Sequence, residues 1–234
     1  IPENLIQISE KIKECGADLG IVVDPDVDRL ALVCENGEMF VEEYTLVAVA
    51  DYVLKHTPGN TVSNLSSSRA LRDVTLAHGQ QYNAAAVGEV NVVTKMKETN
   101  TVIGGEGNGG VIYPESHYGR DALVGVGLFL SHFVAEGKSM TVLKATYPQY
   151  FISKNKLTLS PDMDVDKILE GLKKKYASEE ITDIDGVKID FKDGWVHLRK
   201  SNTEPIIRIY SESKDEAAAN QLAEEVIKVA QSLY

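Results

Sequence analysis

Cysteine is scarce in this sequence, and long apolar runs are absent. The 234 residues include only two cysteines, Cys15 and Cys34, too few for a disulfide framework, so a reducing compartment fits best. No run approaches the roughly 20 consecutive apolar residues that cross a bilayer. We therefore expect a cytoplasmic protein without a signal peptide and without a membrane partner.

Basic residues are also in short supply. Lysine and arginine together number 24 against 35 aspartate and glutamate residues, which gives a net charge of −11. This balance argues against nucleic acid and anionic membranes as main partners, because both attract basic surfaces. Small anionic substrates are not excluded, since they respond to the local charge of a site.

Three regions of the chain differ in their pattern. Residues 1–57 predict a helix, two strands and a helix, which is too little for a complete domain, so its beginning is expected to lie outside the chain. Residues 58–150 alternate strands and helices, which indicates a three-layer α/β domain with a mostly parallel sheet. Residues 151–234 predict a small α+β domain with an antiparallel sheet. The stretch 145–155 is predicted to be a linker.

An acidic cluster lies in the segment GIVVDPDVDRLALV, residues 20–33. Asp24, Asp26 and Asp28 alternate, and alternate residues of an extended strand share one face, so the three carboxylates are expected to converge. Close carboxylates need a cation, and oxygen ligands favour Mg²⁺. A solvated acidic turn is the plainer alternative. An EF-hand is excluded because Arg29 stands where that loop needs glycine.

A phosphatase of the haloacid dehalogenase type stays open as a second alternative. Such an enzyme also places D-x-D after a strand, although Asp28 stands where that motif has Thr or Val. No later acidic pair is evident in the sequence.

A glycine-rich segment, GGEGNGGVIYP, covers residues 104–114. Glu106 and Asn108 on such a loop suit bidentate binding of sugar hydroxyls, because glycine allows close approach of a ligand. A simple hairpin turn is the alternative. A dinucleotide site is disfavoured because no long helix follows directly. His117 lies just beyond this segment and is the histidine most worth following.

A third polar segment, RKSNTEPIIR, covers residues 199–208. Its hydroxyl and amide groups come from Ser201, Asn202 and Thr203, and two guanidinium groups, Arg199 and Arg208, bracket them. Guanidinium groups suit bidentate phosphate binding, so the segment predicts a phosphate cradle. A capped loop between two strands is the alternative.

The order of these three motifs resembles that of the α-D-phosphohexomutase superfamily, which includes phosphoglucomutase, phosphomannomutase and phosphoglucosamine mutase. The motifs read D-x-D-x-D-R, G-E-x-x-G-G and R-x-S-N-T-E-P-x-x-R. The resemblance implies four domains in the whole protein. Residues 1–57 would be the C-terminal part of domain II, residues 58–150 domain III and residues 151–234 domain IV. The serine that is phosphorylated would lie in the missing N-terminal domains, which this chain would need as partners for turnover.

The resemblance also implies roles for the motif residues. The metal ligands for Mg²⁺ would be Asp24, Asp26 and Asp28, with Arg29 at the phosphoryl centre. Glu106 and Asn108 would bind sugar hydroxyls. The non-reacting phosphate would be held by Arg199, Ser201, Asn202, Thr203 and Arg208. Two departures stand out: Pro25 and Val27 replace frequent glycines, and Gly110 replaces a frequent histidine that is a proposed acid/base.

The implied reaction moves a phosphoryl group between the 1- and 6-positions of a hexose or hexosamine phosphate through a bisphosphate. The segments GEGNGG and SNTEP resemble the archaeal type of phosphoglucosamine mutase, which favours conversion of glucosamine 6-phosphate to glucosamine 1-phosphate. Phosphoglucomutase or phosphomannomutase activity is the alternative, and a non-catalytic sugar-phosphate binding module is the alternative of another class. The expected ligands are hexose or hexosamine mono- and bisphosphates, and the chain alone is expected to be inactive.

Overall fold

The computed structural model describes residues 5–160, 163–201 and 204–233. The chain forms two compact units, Ile1–Pro148 and Gln149–Tyr234, which are described separately below. Over the described ranges, no helix combines the length and the apolar character needed to cross a membrane.

The first unit begins with a helix and a hairpin. Helix α1 (Ile6–Cys15) ends at Gly16, whose left-handed conformation lets its N–H bond to the carbonyl of Ile12. Strands β1 (Leu19–Val23) and β2 (Leu30–Cys34) then pair antiparallel as a two-stranded sheet. The acidic segment therefore connects the two paired strands.

The rest of the first unit alternates helices and strands, as the sequence predicts. Its elements are α2 (Glu42–His56), β3 (Asn60–Asn64), α3 (Ala70–Ala77), β4 (Tyr82–Ala85), α4 (Glu89–Glu98), β5 (Thr101–Glu106), β6 (Gly110–Ile112), α5 (Ala122–Glu136) and α6 (Met140–Ala145). The sheet order is β4-β3-β5-β6. The first three strands are parallel, and β6 runs antiparallel to β5.

Alternation along β3 places helices on both faces of this sheet. The hydroxyl of Thr61 bonds to that of Thr75 in α3 at 2.7 Å, so α3 lies on one face. Val62 packs with Val92 and Met96 of α4. Because neighbouring strand residues point to opposite faces, α4 covers the other face. The predicted three-layer arrangement is confirmed.

The second unit is a five-stranded antiparallel sheet with two helices. Its elements are β7 (Phe151–Thr158), α7 (Val165–Lys175), β8 (Glu180–Thr182), β9 (Val187–Phe191), β10 (Gly194–Lys200), β11 (Ile206–Ser213) and α8 (Glu216–Gln231). The strand order is β7-β11-β10-β9-β8. Val196 and Leu198 of β10 pack against Leu172 of α7 and Val226 of α8. By alternation, Trp195, His197 and Arg199 lie on the sheet face opposite these helices; the predicted antiparallel α+β unit is confirmed.

The predicted linker over residues 145–155 is wrong for its second half. Phe151–Thr158 is strand β7, which pairs along its length with β11. Its polar residues hid the strand signal, because only Ser153 and Leu157 are buried. Charged side chains such as Lys154 and Lys156 suit an edge strand, where they oppose pairing with other chains.

Candidate functional site

The acidic segment, here called the Asp loop (residues 24–29), is a tight turn between β1 and β2. The backbone N–H of Val27 donates to the carbonyl of Asp24 at 3.0 Å. Oδ1 of Asp24 accepts hydrogen bonds from the N–H groups of Asp28 and Arg29 at 3.1 and 3.2 Å. The loop is thus folded around the carboxylate of Asp24.

The two strands and the loop between them lie where the sequence predicts them, since β1 ends at Val23 and β2 begins at Leu30. The sharing of one face by alternation does not hold within the loop, because the chain turns there and Val27 has a φ of 56°. Asp24 and Asp28 are both half-buried, whereas Asp26 is exposed. The turn, rather than strand alternation, brings Asp24 and Asp28 together.

Arg29 neutralises part of the negative charge of the Asp loop. Its Nε lies 2.7 Å from Oδ2 of Asp24 and 3.4 Å from Oδ1 of Asp28. Burial alone would raise the pKa of Asp24, but hydrogen bonds from Arg29 outweigh it and lower that pKa to about 2. The pKa of Asp28 is raised, first by burial and then by the carboxylate of Asp24. The pKa values of the two neighbouring carboxylates are therefore shifted in opposite directions.

The glycine-rich turn joins β5 to β6 and presents two polar side chains differently. Glu106 is buried, and its Oε1 accepts hydrogen bonds from Nδ2 of Asn64 at 2.8 Å and the N–H of Gly88 at 3.3 Å. Asn108 is exposed, and its Oδ1 accepts from the N–H of Gly110 at 3.1 Å. Glu106 is therefore fixed within the fold, while Asn108 faces solvent.

The Asp loop and the glycine-rich turn lie side by side. The N–H of Leu30 donates to the carbonyl of Gly109 at 3.0 Å. A Cβ at position 109 would overlap the Leu30 carbonyl, and Gly109 has a φ of 84°, so only glycine suits this approach. Asp24, Arg29 and Asn108 line a common cleft of about 330 Å³. The structure thus brings together two motifs that are far apart in sequence.

Sequence reasoning missed Arg120, which links these two motifs. Its Nη1 donates to Oε2 of Glu106 at 2.9 Å, and its Nη2 pairs with Oδ2 of Asp28. Its backbone N–H donates to Oε1 of Glu89 at 2.9 Å. Arg120 follows the Ser-His-Tyr-Gly stretch that contains His117 and immediately precedes Asp121, the N-cap of helix α5. The position of a cation beside the capped start of that helix was the available signal.

His117 lies in the same loop as Arg120. Its Nε2 is 2.9 Å from Oδ2 of Asp121, and Oδ1 of Asp121 accepts the hydrogen bond of Val124 that caps α5. The His117 bond and the cap lower the pKa of Asp121. The histidine side chain is half exposed.

The Asp loop suits a hard divalent cation by donor type and charge. Oδ1 of Asp28 is buried and accepts no hydrogen bond. The carboxylates around Arg29 and Arg120 outnumber these two guanidinium groups. In the arrangement described, however, no three His, Cys, Asp or Glu side chains of residues 5–160, 163–201 and 204–233 are grouped closely enough to hold a metal ion.

The phosphate-cradle candidates lie in the second unit. Arg199 of β10 and Arg208 of β11 are direct cross-strand partners, so both side chains lie on one face of the sheet. Nε of Arg199 is buried and donates no hydrogen bond, and Arg208 Nη2 lies 3.4 Å from Glu204. Ser201 is buried, and its N–H donates to the carbonyl of Ile206. Asn202 and Thr203 lie outside the described residues.

Two family models match the chain. The model described as phosphoglucomutase/phosphomannomutase, alpha/beta/alpha domain III matches residues 42–150. The model described as the phosphoglucomutase/phosphomannomutase C-terminal domain matches residues 157–229. The first match begins inside the region 1–57, and the boundary expected after residue 57 stays a prediction.

Curated relatives align with almost the whole chain. A phosphoglucomutase/phosphomannomutase of Thermococcus kodakarensis is 38% identical over 230 residues, which are 97% of this chain and 50% of the relative. A phosphoglucosamine/phosphogalactosamine mutase of Sulfurisphaera tokodaii is 32% identical over 232 residues, 97% of this chain and 51% of the relative. The chain therefore spans about half the length of the curated relatives it matches.

Solved structures share the fold. A phosphoglucomutase/phosphomannomutase family protein from Burkholderia thailandensis has a TM-score of 0.83 and 26% identity, covering 99% of this chain and 51% of that one. The N-acetylphosphoglucosamine mutase of Aspergillus fumigatus, in complex with GlcNAc-6P and magnesium, has a TM-score of 0.66 and 13% identity, covering 91% of this chain and 48% of that one. The second likeness shows the fold alone.

Proposed function

Because this chain belongs to the phosphoglucomutase/phosphomannomutase family, as its motifs predicted, we propose that the protein containing it moves a phosphoryl group between the 1- and 6-positions of a hexose or hexosamine phosphate. The observation that carries this proposal is the shared cleft. The Asp loop and the glycine-rich turn line it together, so groups suited to phosphoryl transfer and groups suited to sugar hydroxyls lie side by side.

The Asp loop is the phosphoryl-transfer side of this site. Asp24, Asp26 and Asp28 would hold Mg²⁺, which when bound neutralises charge on the transferring phosphoryl group. The half-exposed Arg29 is held beside Asp24 and offers a guanidinium group to phosphate oxygens. A serine outside this chain is proposed to carry the phosphoryl group, because the chain spans only about half the length of the curated relatives it matches.

The glycine-rich turn is the sugar side. The exposed Asn108 can exchange hydrogen bonds with sugar hydroxyls directly, while Glu106 is held by Asn64 and Arg120. A buried carboxylate with fixed partners gives a rigid acceptor, and rigid groups discriminate hydroxyl positions better than mobile ones. We assign sugar recognition to these two residues together.

The cross-strand pair Arg199 and Arg208 is the proposed site for the non-reacting phosphate. Like charges placed directly opposite each other destabilise a sheet, and a bound phosphate reverses that cost. The buried Nε of Arg199, which donates no hydrogen bond, supports an anion at this place. Ser201 is proposed to contribute, as are Asn202 and Thr203.

Glucosamine 6-phosphate is the proposed substrate, with glucosamine 1-phosphate as the product. The Sulfurisphaera relative named for glucosamine and galactosamine phosphates supports this choice. The Thermococcus relative named phosphoglucomutase/phosphomannomutase supports the alternative substrates. A cytoplasmic location is proposed because Cys15 and Cys34 are both free thiols. The chain by itself is proposed to bind sugar phosphates weakly without turnover.

A coupled assay of the full-length protein tests this function. It compares initial rates with the 6-phosphates of glucosamine, glucose and mannose, with and without Mg²⁺. We expect Mg²⁺-dependent turnover that is fastest with glucosamine 6-phosphate, and a loss of about a hundredfold in kcat for Asp28→Asn. Asp18→Asn makes the same charge change at an exposed position before β1 and should retain the native rate. If the protein converts none of the three sugar phosphates, the proposed function is refuted.

A further inference from the structure

The guanidinium of Arg120 is surrounded by carboxylates from three separate segments. It bonds to Glu106 of β5 and Asp28 of the Asp loop, and its Nε lies 3.4 Å from Oε2 of Glu89 at the start of α4. The side chain is only 19% exposed. A guanidinium group can serve several planar acceptors at once, which a lysine ammonium cannot do with the same geometry.

The path of Arg120 depends on the glycine at position 110. A Cβ at this position would overlap Cδ of Arg120 and would lie 3.1 Å from its Cγ. Gly110 has no positive φ, so its glycine is required for space and not for backbone conformation. The aliphatic part of Arg120 therefore occupies the volume into which a side chain at position 110 would project. The positive charge beside the glycine-rich turn is thus supplied by the loop before α5.

Arg120 and a divalent cation at the Asp loop would compete for one acceptor. Oδ2 of Asp28 already pairs with Arg120, and any cation bound by Asp28 is repelled by the nearby guanidinium. In a partly buried site this repulsion weakens cation binding substantially. Removing the charge of Arg120 therefore favours cation binding at Asp28, while it leaves the buried Glu106 without its positively charged partner.

We propose that Arg120 is a positioning residue that fixes Glu106 for sugar binding and at the same time restrains cation binding at Asp28. Its two effects have opposite signs. Loss of Arg120 weakens sugar binding because Glu106 is no longer held, and strengthens cation binding because a competing charge is gone. A purely structural role would weaken both. The effect on sugar binding, here called the sugar half of the inference, rests on the proposed function. The effect on cation binding, the cation half, rests only on the Asp28–Arg120 pair.

The test measures two affinities in the full-length protein and in two Arg120 variants. Binding of Mn²⁺ alone is followed by its electron paramagnetic resonance signal, and binding of glucosamine 6-phosphate by calorimetry. For Arg120→Gln we expect Mn²⁺ affinity to rise about fivefold and sugar-phosphate affinity to fall about tenfold. Arg120→Lys keeps the positive charge but loses the planar set of N–H donors that bonds to Glu106 and Asp28 together. Mn²⁺ affinity should therefore stay within about twofold of the native value, while sugar-phosphate affinity falls.

Arg72→Gln is the matched control, because Arg72 is paired with Asp73 on α3 and takes no part in the site. It should change neither affinity. A fall of both affinities in Arg120→Gln overturns the inference, as does an unchanged sugar-phosphate affinity or an unchanged Mn²⁺ affinity. If the native protein binds Mn²⁺ as expected but binds none of the 6-phosphates of glucosamine, glucose and mannose, the proposed function fails and the sugar half fails with it. A rise in Mn²⁺ affinity would still establish the cation half.

Discussion

Asp28 and Glu106 bind the same side chain, since Arg120 pairs with Asp28 through Nη2 and with Glu106 through Nη1. One residue comes from the loop between β1 and β2, and the other from the end of β5. Their common partner makes the acidic and glycine-rich motifs one site. A substitution in either motif should therefore alter the side-chain contacts of the other through Arg120.

Val27 is strained, and glycine at this position should relieve the strain. Its φ of 56° is costly for a β-branched residue, and glycine accepts it freely. Val27→Gly should raise the free energy of unfolding of the first unit by about 1 kcal/mol, measured by scanning calorimetry. Val23 has the same 37% exposure but lies in strand β1, so Val23→Gly should lower it by about 1 kcal/mol. Equal destabilisation by both variants would show that Val27 carries no strain.

Gly109 should tolerate no side chain. Gly109→Ala would place a methyl group against the Leu30 carbonyl and force a positive φ on alanine, so the two loops would separate. We expect a loss of about 3 kcal/mol in the unfolding free energy of the first unit. Gly127 is an exposed position inside α5 with open space around its Cα. Gly127→Ala should therefore raise stability by about 1 kcal/mol. A Gly109→Ala variant with native stability would refute the close approach of the loops.

The second unit should lose stability on acidification because of His197. Burial lowers the pKa of His197 from 6.5 to about 4, although its hydrogen bond to the Asp185 carbonyl opposes this shift. The unfolded chain therefore binds more protons than the native state between these two pH values, so stability falls as pH falls from 6.5 to 4. The loss should total about 3 kcal/mol.

Urea unfolding followed by fluorescence measures this effect. Trp195 is the single tryptophan and is buried in the second unit, so its emission reports that unit alone. His197→Gln should flatten the pH dependence between 6.5 and 4, whereas His56→Gln, which alters an exposed histidine of α2, should leave it unchanged. A native protein with no pH dependence in this window would contradict a buried neutral His197.

Replacing either of the two facing arginines of β10 and β11 should raise the stability of the second unit and lower its affinity for phosphate. Arg199→Gln and Arg208→Gln each remove a like-charge repulsion, so each should raise the stability of the second unit by about 0.5 kcal/mol at low salt. Each should also lower affinity for inorganic phosphate about tenfold, seen as a smaller phosphate-induced shift of the Trp195 unfolding transition. Lys200→Gln removes an exposed charge from the opposite sheet face and should do neither. Unchanged phosphate affinity in both arginine variants would remove them from the cradle.

Local pattern was sufficient for most elements of the fold. Helix α2 occupies Glu42–His56, the stretch its apolar spacing predicts, because Pro58 and Gly59 end it in any context. The hairpin of β9 and β10 follows from Lys192, Asp193 and the glycine after them. Strand β7 was missed because an edge strand needs few apolar residues, so its pairing partner decides its structure.

The arrangement of the candidate site was harder to predict from local pattern, because it depends on tertiary structure. The turn of the Asp loop is set by hydrogen bonds to one side chain, Asp24, and no periodicity encodes them. Arg120 has no motif around it, and its partners come from three segments that only the fold brings together. The facing of Arg199 and Arg208 requires the register of β10 and β11. Residue types were therefore predictable, and their pairings were not.

The transfer of phosphate within one sugar is the central claim, and ³¹P NMR of the full-length protein with glucosamine 6-phosphate and Mg²⁺ tests it most directly. The account predicts that the 6-phosphate resonance declines while a 1-phosphate resonance grows, with no inorganic phosphate released. Accumulation of inorganic phosphate would indicate the phosphatase that the acidic motif alone also suggested. An unchanged spectrum, repeated with glucose and mannose 6-phosphates, would contradict the account and leave a binding module without catalysis.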